Sequence, residues 1–340
     1  MKTLRLAASL LIMMFFVPDL ALAQSTNVGT SGAQFLKINA GARAEAMGGA
    51  FVGSANDATA LFWNPAGIAQ VDRGSLSFTN IPWWADVEIN QFAFATQVQN
   101  IGVFGVSVIN LSVPEQEITT VDQPDGTGRF FDANDLMIGV SFARYLLPEF
   151  SVGITAKYVS QQIWNERATT LAFDIGTQYN FGYRNLTLGM AVNNFGPDMT
   201  YSGSDLARFI PDTNDPAEPP SRRPLANLET LGFPLPLNFQ VGVVIDAVDS
   251  RYLRWILAAD LKNPSDNYEM VSLGNEIEFK LDFASLFGRG GYTINNPDQK
   301  WSVGAGLMVD LSGYNVHFDY SYSEHEYLPG VQRISVSLSF

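Results

Sequence analysis

The chain has 340 residues, a formal net charge of −14 and no cysteine. Its charged fraction of 16% lies well below the roughly one quarter typical of soluble domains, which indicates that much of its surface faces something other than water. The acidic balance argues against a nucleic-acid partner, because nucleic acids bind basic surfaces. The lack of cysteine excludes a disulfide framework and a thiolate metal site.

Residues 1–23 have the layout of a secretory signal peptide. Two basic residues precede an apolar run from Leu6 to Val17, and Ala21-Leu22-Ala23 forms a small-residue cleavage site. An uncleaved membrane helix is disfavoured, because the apolar run is short and Pro18 follows it. No later stretch approaches the ~20 consecutive apolar residues of a spanning helix, so we expect the mature chain to leave the cytoplasm without a helical anchor.

A stretch rich in glycine and alanine runs from Gly41 to Gly67, with the sequence GARAEAMGGAFVGSANDATALFWNPAG. Asn56 or Asp57 can cap a short helix that runs to Phe62. Pro65 must end that helix, because the residue before a proline avoids the helical region. Small residues combined with tight turns predict a compact segment that packs inside something else.

From Ser75 onward, nearly every segment alternates apolar with polar residues, which is the period of a β-strand. The last is the clearest, since Ile334, Val336, Leu338 and Phe340 alternate with one arginine and three serines. About fourteen such segments are predicted, many of them near the ~9–11 residues that cross a bilayer at a tilt. They begin near Ser75, Asn90, Gly102, Asp135, Phe150, Ala168, Asn185, Leu237, Tyr252, Tyr268, Ala284, Lys300, Asn315 and Gln332.

The connections between these segments alternate in length. Short ones lie at Gln99-Asn100, around Pro148 and at Ser312-Gly313, whereas Ser112–Asn134 and Gly196–Pro234 are long. Outer-membrane barrels have short periplasmic turns and long outer loops, and a soluble sandwich has no reason to sort its loops in this way. The sequence therefore predicts an all-β fold, a transmembrane antiparallel β-barrel of about 14 strands in the cell outer membrane.

The predicted barrel gives the small-residue stretch a place. A plug must fit a lumen that side chains already line, which favours Ala and Gly over larger residues. We therefore expect three parts: the signal peptide 1–23, an N-terminal hatch or plug inside the lumen at 24–72, and the barrel at 73–340. Arg43, Asp57 and Asn64 are the expected polar anchors of the plug to the inner wall, with Asp174, Lys157 or Glu276 as their partners.

If the apolar residues of each strand face lipid, the polar residues line the lumen. Charges of both signs suit a wet or plugged interior, either as salt bridges or as part of a transport path. Phe340 resembles the terminal Phe that barrel-assembly machinery reads, so that machinery and outer-membrane lipid are expected partners. The lumen-lining candidates are Lys157, Asp174, Arg254, Asp260, Glu276, His317 and Asp319.

Signals of catalytic chemistry are scarce in this sequence. His317 and His325 have no metal-ligand spacing, nothing selects a serine partner for a Ser-His dyad on His317, and no G-x-S-x-G occurs. We expect no enzyme activity, no metal and no cofactor. Gly288, Gly290 and Gly291 precede no helical pattern, so they predict a bend or a close backbone approach in a strand.

The stretch 41–67 resembles the N-terminal signature of the PorV/PorQ family of bacterial outer-membrane proteins. Its element Asn64-Pro65-Ala66 is also similar to the hatch motif of FadL-type long-chain fatty-acid transporters, which are fourteen-stranded barrels plugged by their N-terminal segment. The resemblance implies that the hatch motif comprises Arg43, Gly48, Gly49, Asp57, Trp63, Asn64, Pro65 and Ala66.

The resemblance implies two different functions. Relatives close to PorV act in type IX secretion, where the barrel binds the C-terminal signal domain of exported proteins and hands them to a surface transpeptidase. FadL-like relatives conduct hydrophobic small molecules through the hatch and a lateral opening. The long outer loops and the polar inner set favour the secretion-associated function, with exported cargo proteins as partners. Transport of a hydrophobic ligand or fatty acid is the alternative, and a purely structural barrel is the third.

Overall fold

The computed structural model describes residues 27–210 and 225–340. The predicted signal peptide lies outside the described residues, as does the middle of the loop between residues 196 and 237. In the described part, fourteen long strands form one antiparallel sheet, and each pairs with the next in sequence. They are β1 Gly74–Pro82, β2 Glu88–Val98, β3 Gly102–Glu117, β4 Phe130–Leu147, β5 Phe150–Ile163, β6 Glu166–Asn180, β7 Thr187–Phe195, β8 Asn238–Asp249, β9 Leu253–Pro264, β10 Met270–Lys280, β11 Ala284–Ile294, β12 Gln299–Asp310, β13 Asn315–His325 and β14 Val331–Ser339.

The sheet closes on itself. β1 pairs with β14 in antiparallel register, with Ser75 opposite Ser339 and Asn80 opposite Ile334, so neither strand is left as an edge. The predicted barrel of about fourteen strands is therefore confirmed. Every strand except β4 begins within two residues of its predicted start. β4 begins at Phe130 instead of Asp135, in a stretch where a register shift against β3 blurs the alternation.

The two ends of the barrel differ in their connections. At one end, called here the short-turn end, the links are 99–101, 148–149, 181–186, 250–252, 281–283 and 311–314. At the opposite, long-loop end, the links include 118–129 and 196–237, although Trp164 and Asn165 alone join β5 to β6. The described part of the loop 196–237 carries three short strands, Tyr201–Gly203, Ala207–Phe209 and Leu225–Asn227, and the first of them pairs with β6.

The two faces of the wall have opposite character. Large apolar side chains point outward and are exposed, as at Leu171 and Ile175 on β6, while their neighbours Thr170 and Asp174 are buried inside. That pattern suits a wall that faces an apolar environment on one side and a polar interior on the other. In the described residues, no helix combines the length and apolar character needed to span a bilayer.

Residues 27–73, called here the inner segment, lie within the barrel. They contain 3₁₀ helices at Gln34–Lys37, Ala58–Phe62 and Pro65–Gln70 and the short helix α1 at Ala42–Ala46; two further 3₁₀ helices, Trp84–Asp86 and Ser204–Leu206, lie in the loops. As predicted, Asp57 caps the helix Ala58–Phe62 through the N–H of Thr59, and Asn64 adopts an extended conformation before Pro65. The segment begins near the long-loop end and leaves at the short-turn end, where β1 starts.

Glycines in the wall allow the inner segment to pack against it. A methyl group added at Gly291 would overlap the backbone of Met47 and Gly48, and one at Gly153 would overlap Pro65 and Ala66. This confirms the predicted close backbone approach at Gly291. Other wall glycines in similar contact are Gly105, Gly176, Gly189, Gly274 and Gly304.

Candidate functional site: the barrel lumen

The backbone of the inner segment is held by polar side chains from different strands. The carboxylate of Asp260 on β9 accepts the N–H groups of Phe51 and Val52, each at 2.8 Å. Across the lumen, Asn64 donates its side-chain amide to the carbonyls of Val52 and Thr177, each at 3.0 Å. Buried backbone groups need such partners, and these contacts fix the segment to the wall.

Consecutive glycines let the chain turn between these anchors. Gly48 and Gly49 follow α1 with φ values of 66° and 73°, a left-handed conformation that is costly for residues with a Cβ. The N–H of Gly48 donates to Ser302 at 3.0 Å, and Ser302 donates to the carbonyl of Glu45 at 2.6 Å. The Gly-Gly pair is thus a structural requirement of the turn.

A balanced chain of four charges joins the inner segment to the wall. The guanidinium of Arg43 contacts the carboxylate of Glu276 at 2.9 and 3.0 Å, as predicted for this anchor. Glu276 also accepts from Arg289 at 2.5 Å, and Arg289 contacts Asp319 at 2.5 Å. Asp57 lies 3.4 Å from Arg43, so its contacts stay within the inner segment and do not reach the wall.

A second buried cluster lies on Glu45 of α1. Its carboxylate forms an ion pair with Arg333 at 3.1 Å and accepts hydrogen bonds from Gln299 at 2.6 Å and from Asn39 at 2.9 Å. Glu45 and Arg333 are both fully buried. The sequence analysis selected neither residue, nor Arg289, although Arg333 stands at an inward position of the alternation in β14. An arginine at an inward-facing position of a strand was the signal that could have identified Arg289 and Arg333.

A third polar cluster fills an irregularity between β6 and β7. Two consecutive residues, Asn193 and Asn194, oppose the single residue Asp174, which is a β-bulge, and both asparagines are buried. Asp174 accepts the N–H of Asn194 at 2.8 Å and pairs with Lys157 at 2.5 Å. Lys157 and Asp174 were expected to anchor the plug, but they pair with each other and hold the bulge.

The remaining predicted residues are dispersed. Trp63 donates its indole N–H to the carbonyl of Ala40 at 3.0 Å. Arg254 pairs with Asp246 at 3.0 Å, and His317 lies in a cavity near the short-turn end. Phe340 exchanges backbone hydrogen bonds with Gly74 beside the β1–β14 seam. The roles assigned to these side chains stay predictions.

The other histidine stands in a row of three polar side chains. His325 contacts Asp298 at 2.6 Å through Nδ1, and its Nε2 lies 3.5 Å from the hydroxyl of Ser323. A nucleophilic serine must be reached by a substrate carbonyl carbon, but Ser323 is fully buried and accepts a hydrogen bond from Arg333 at 3.0 Å. The arrangement therefore serves packing and not acyl transfer. Among the described residues, no group of three acidic or histidine side chains is placed to hold a metal ion.

Two cavities lie on opposite sides of the inner segment. The outer cavity, of about 180 Å³, lies toward the long-loop end between residues 36–40, Trp63 and the wall. The lower cavity, of about 520 Å³, lies toward the short-turn end and is lined by Arg43, Glu276 and Asp319 among others. The stretch from residue 41 to residue 63 separates them.

The start of the inner segment is tethered at the long-loop end. Asp266, in the link between β9 and β10, accepts from Ser31, from Gln34 at 3.0 Å and from Lys37 at 3.0 Å. Burial raises the pKa of Asp266. These three hydrogen bonds and the positive charge of Lys37 together lower it by more than burial raises it, so the pKa lies below its ordinary value of 3.8.

We expect this tether to fail in acid. Because the pKa of Asp266 is lower in the folded protein, its contribution is complete above about pH 4 and is lost as the pH falls through the folded pKa. Hydrogen exchange of a peptide covering residues 27–40, corrected for intrinsic rates, should show protection at pH 7 and about tenfold less at pH 2–3. Asp266→Asn should be poorly protected at both pH values. Equal protection of both proteins throughout would contradict the tether.

The fold and the lumen together define a class, a closed antiparallel barrel whose lumen holds the inner segment. The structure is similar to the toluene transporter TodX of Pseudomonas putida (13% identity, TM-score 0.55, covering 89% of this chain and 99% of that one). It is also similar to the toluene transporter TbuX of Ralstonia pickettii (12%, 0.54, 88% and 97%) and to the monoaromatic hydrocarbon channel CymD (11%, 0.55, 89% and 98%). At these identities the likeness concerns the fold, and it supports the predicted FadL-like barrel at that level.

The chain belongs to the uncharacterised protein family UPF0164, whose model matches residues 21–205, just over half of its length. Among curated proteins, none matches the chain. The matching family model is not one of the PorV/PorQ family, so the resemblance to that family stays a prediction.

Proposed function

We propose that the protein is an outer-membrane channel for small organic molecules with an apolar body, and that the inner segment is its hatch. Support comes from the two cavities, which lie on one axis of the lumen with residues 41–63 between them. A solute that entered the outer cavity would meet this segment before the lower cavity. Passage to the short-turn end therefore requires the segment to move, whereas passage sideways does not.

The observation that carries the proposal is an interruption of the wall beside the outer cavity. β6 pairs with β7 only from Phe173 to Asn180, and near its other end it pairs with Tyr201–Gly203 from Glu166 to Ala168. The residues between, 169–172, pair with β5 on one side, but on the β7 side they have no ladder partner among the described residues. Asn193 and Asn194, at the edge of this interruption, line the outer cavity.

This interruption has no backbone ladder across it in the described part of the chain and is closed by hydrogen bonds between wall side chains and loop carbonyls. Asn194 donates its side-chain amide to the carbonyl of Pro236 at 3.1 Å, and Thr170 donates to the carbonyl of Pro197 at 3.3 Å. Single side-chain hydrogen bonds cost less to open than a continuous ladder, each contributing about 0.5–1.5 kcal/mol net. We infer that this part of the wall is the lateral exit from the outer cavity to the membrane.

The experiment compares two variants of the bulge. Deleting Asn194 removes the extra residue and should allow a regular ladder, while Asn194→Gly keeps the backbone at its φ of 63° and removes only the side chain. Uptake of radiolabelled toluene is measured in bacteria with an intact lipopolysaccharide layer, with and without the protein. We expect protein-dependent uptake that the deletion lowers several-fold and that Asn194→Gly leaves equal or higher.

Folding is checked on gels, where a closed barrel migrates faster before boiling than after it. Uptake that is the same with and without the protein would rule out the channel. Uptake that survives the deletion at full rate, in a barrel that still shows the heat-dependent shift, would rule out the lateral exit and leave the hatch as the path.

The secretion-associated function stays a prediction. It needs outer loops that can dock exported proteins, but much of the described part of the loop 196–237 folds back on the barrel, through Tyr201–Gly203 on β6 and a bridge between Met199 and Phe233. Affinity capture from outer membranes tests it directly. Exported proteins that copurify in stoichiometric amounts would favour the shuttle over the channel.

A further inference from the structure

The charge of the outer cavity is opposite in sign to that of the whole chain. The chain carries 34 acidic and 20 basic residues, yet the cavity is lined by Lys37, Lys157 and Lys262, and among the described residues no aspartate or glutamate lines it. The lower cavity, by contrast, is lined by acidic and basic side chains together. A positive cavity in an acidic protein selects anions by simple electrostatics.

Only one of the three lysines is free to bind a ligand. Lys37 is paired with Asp266, and Lys157 with Asp174. Lys262 is half-buried, and its ammonium group donates to Asn39 at 3.2 Å and lies 4.6 Å from the ring centroid of Trp63. No carboxylate of the described residues lies within ion-pair distance of it.

The carboxylates nearest to Lys262 are committed elsewhere. Asp260, two residues away on β9, accepts the backbone N–H groups of Phe51 and Val52. Glu45 forms an ion pair with Arg333 and accepts hydrogen bonds from two side-chain amides. The ammonium group therefore faces the cavity with donor capacity to spare, because an ammonium group has three N–H bonds.

Hydrogen-bond acceptors without a partner lie beside this cation. Gln240 is the direct cross-strand partner of Lys262, and Asn193 is the cross-strand partner of Asn238. All three amides line the cavity, and the side-chain oxygen of each is buried without a hydrogen-bond partner. Buried acceptors normally have donors, so these oxygens call for a hydroxyl or N–H group from a ligand.

The size and the apolar part of the cavity limit the ligand further. Phe62, Trp63, Ile109 and Met137 give it an apolar side. A cavity of about 150 Å³ accepts benzene, so one of about 180 Å³ suits a single ring with small substituents. It is too small for a long alkyl chain.

We propose that the outer cavity binds a small ring-bearing organic acid that carries a hydroxyl group. Lys262 pairs with the carboxylate, the apolar side packs on the ring, and the oxygen of Gln240 accepts the one proton of the hydroxyl group. The inference rests on the proposed channel function, in which this cavity is the entry chamber.

The test uses the mature protein in detergent micelles and 4-hydroxybenzoate as the probe, with the neutral 4-hydroxybenzamide as its near-isosteric control. Calorimetric titration should give tighter binding of the acid than of the amide. Lys262→Met keeps the apolar stem and should weaken acid binding about tenfold or more without changing amide binding. Gln240→Leu should weaken both ligands. Lys280→Met, which alters a lysine paired with Asp249 at the opposite end of the barrel, should change neither.

The acid-to-amide preference of the wild-type protein tests the site even if a variant fails to fold. Equal affinity for both ligands, or an unchanged preference in folded Lys262→Met, would overturn the inference. The two proposals can fail separately. Toluene uptake without a preference for the acid keeps the channel and removes the site, whereas preferential binding without uptake keeps the site and removes the channel.

Discussion

Replacing Gly291 by alanine should drive the inner segment away from the wall. The new methyl group would overlap the backbone of Met47 and Gly48, and backbone atoms cannot rotate aside as a side chain can. Gly274 stands directly opposite Gly291 in the ladder and meets the same turn, so neighbouring strands offer no relief. Overpacking costs about 1–3 kcal/mol, and a rigid contact of this kind should reach at least the upper value.

Limited proteolysis and denaturant unfolding in micelles measure this effect. We expect new cleavage between residues 41 and 67 and a loss of about 3 kcal/mol in the free energy of unfolding. Gly288→Ala is the matched control, since it lies in the same strand and has open space around the added methyl group. If the two variants resist protease equally and unfold at the same denaturant concentration, the inner segment does not depend on this contact.

Replacing Glu276 by glutamine should have a similarly large effect for an electrostatic reason. Glu276 lies between Arg43 and Arg289, and its side chain is buried. Without its charge, two guanidinium groups face each other, with Asp319 beside Arg289 and the partly exposed Asp57, 3.4 Å from Arg43, left to balance them. Removing one partner from a buried ion pair costs about 3–5 kcal/mol, because the other charge stays buried.

A double-mutant cycle separates this network from a general loss of packing. The combination of Arg43→Met with Glu276→Gln should lower the free energy of unfolding by less than the sum of the two single changes. Each single change leaves the other residue of the pair without its partner, whereas the double change removes both residues. Lys280→Gln, which breaks the exposed pair with Asp249, should leave stability nearly unchanged. Strict additivity in the cycle would show that Arg43 and Glu276 act independently, and that the pair does not anchor the inner segment.

The strands were predictable from the sequence because alternation with period two is a local property, and a wall with an apolar outer face and a polar inner face enforces it. The cap at Asp57 and the stop at Pro65 were predictable for the same reason, since each depends on residues within one turn. The pairing of Arg43 with Glu276 is consistent with opposite charges at inward positions, although Asp174 was an equally plausible partner for Arg43 before the register was known.

The parts that depend on register and depth could not be predicted. Gly291 and Gly153 touch the inner segment only because specific strands face specific turns, and a glycine in a strand does not reveal what approaches it. The bulge at Asn193-Asn194 shifts the alternation by one residue, and a shift of that size cannot be recognised in a pattern of apolar and polar residues. The lack of a carboxylate partner for the half-buried Lys262 among the described residues is likewise visible only once Asp260 and Glu45 are seen to contact other groups.

The position of the inner segment has a consequence for the order in which the molecule assembles. β1 begins at Gly74, directly after the segment ends, and it must pair with β14 to close the ring. A closed ring with wall glycines in contact with the segment leaves no room to thread some forty residues through it afterwards. We therefore infer that the curved sheet forms around the segment, which acts as a template, and that the pairing of Ser75 with Ser339, two residues far apart in the sequence, comes last.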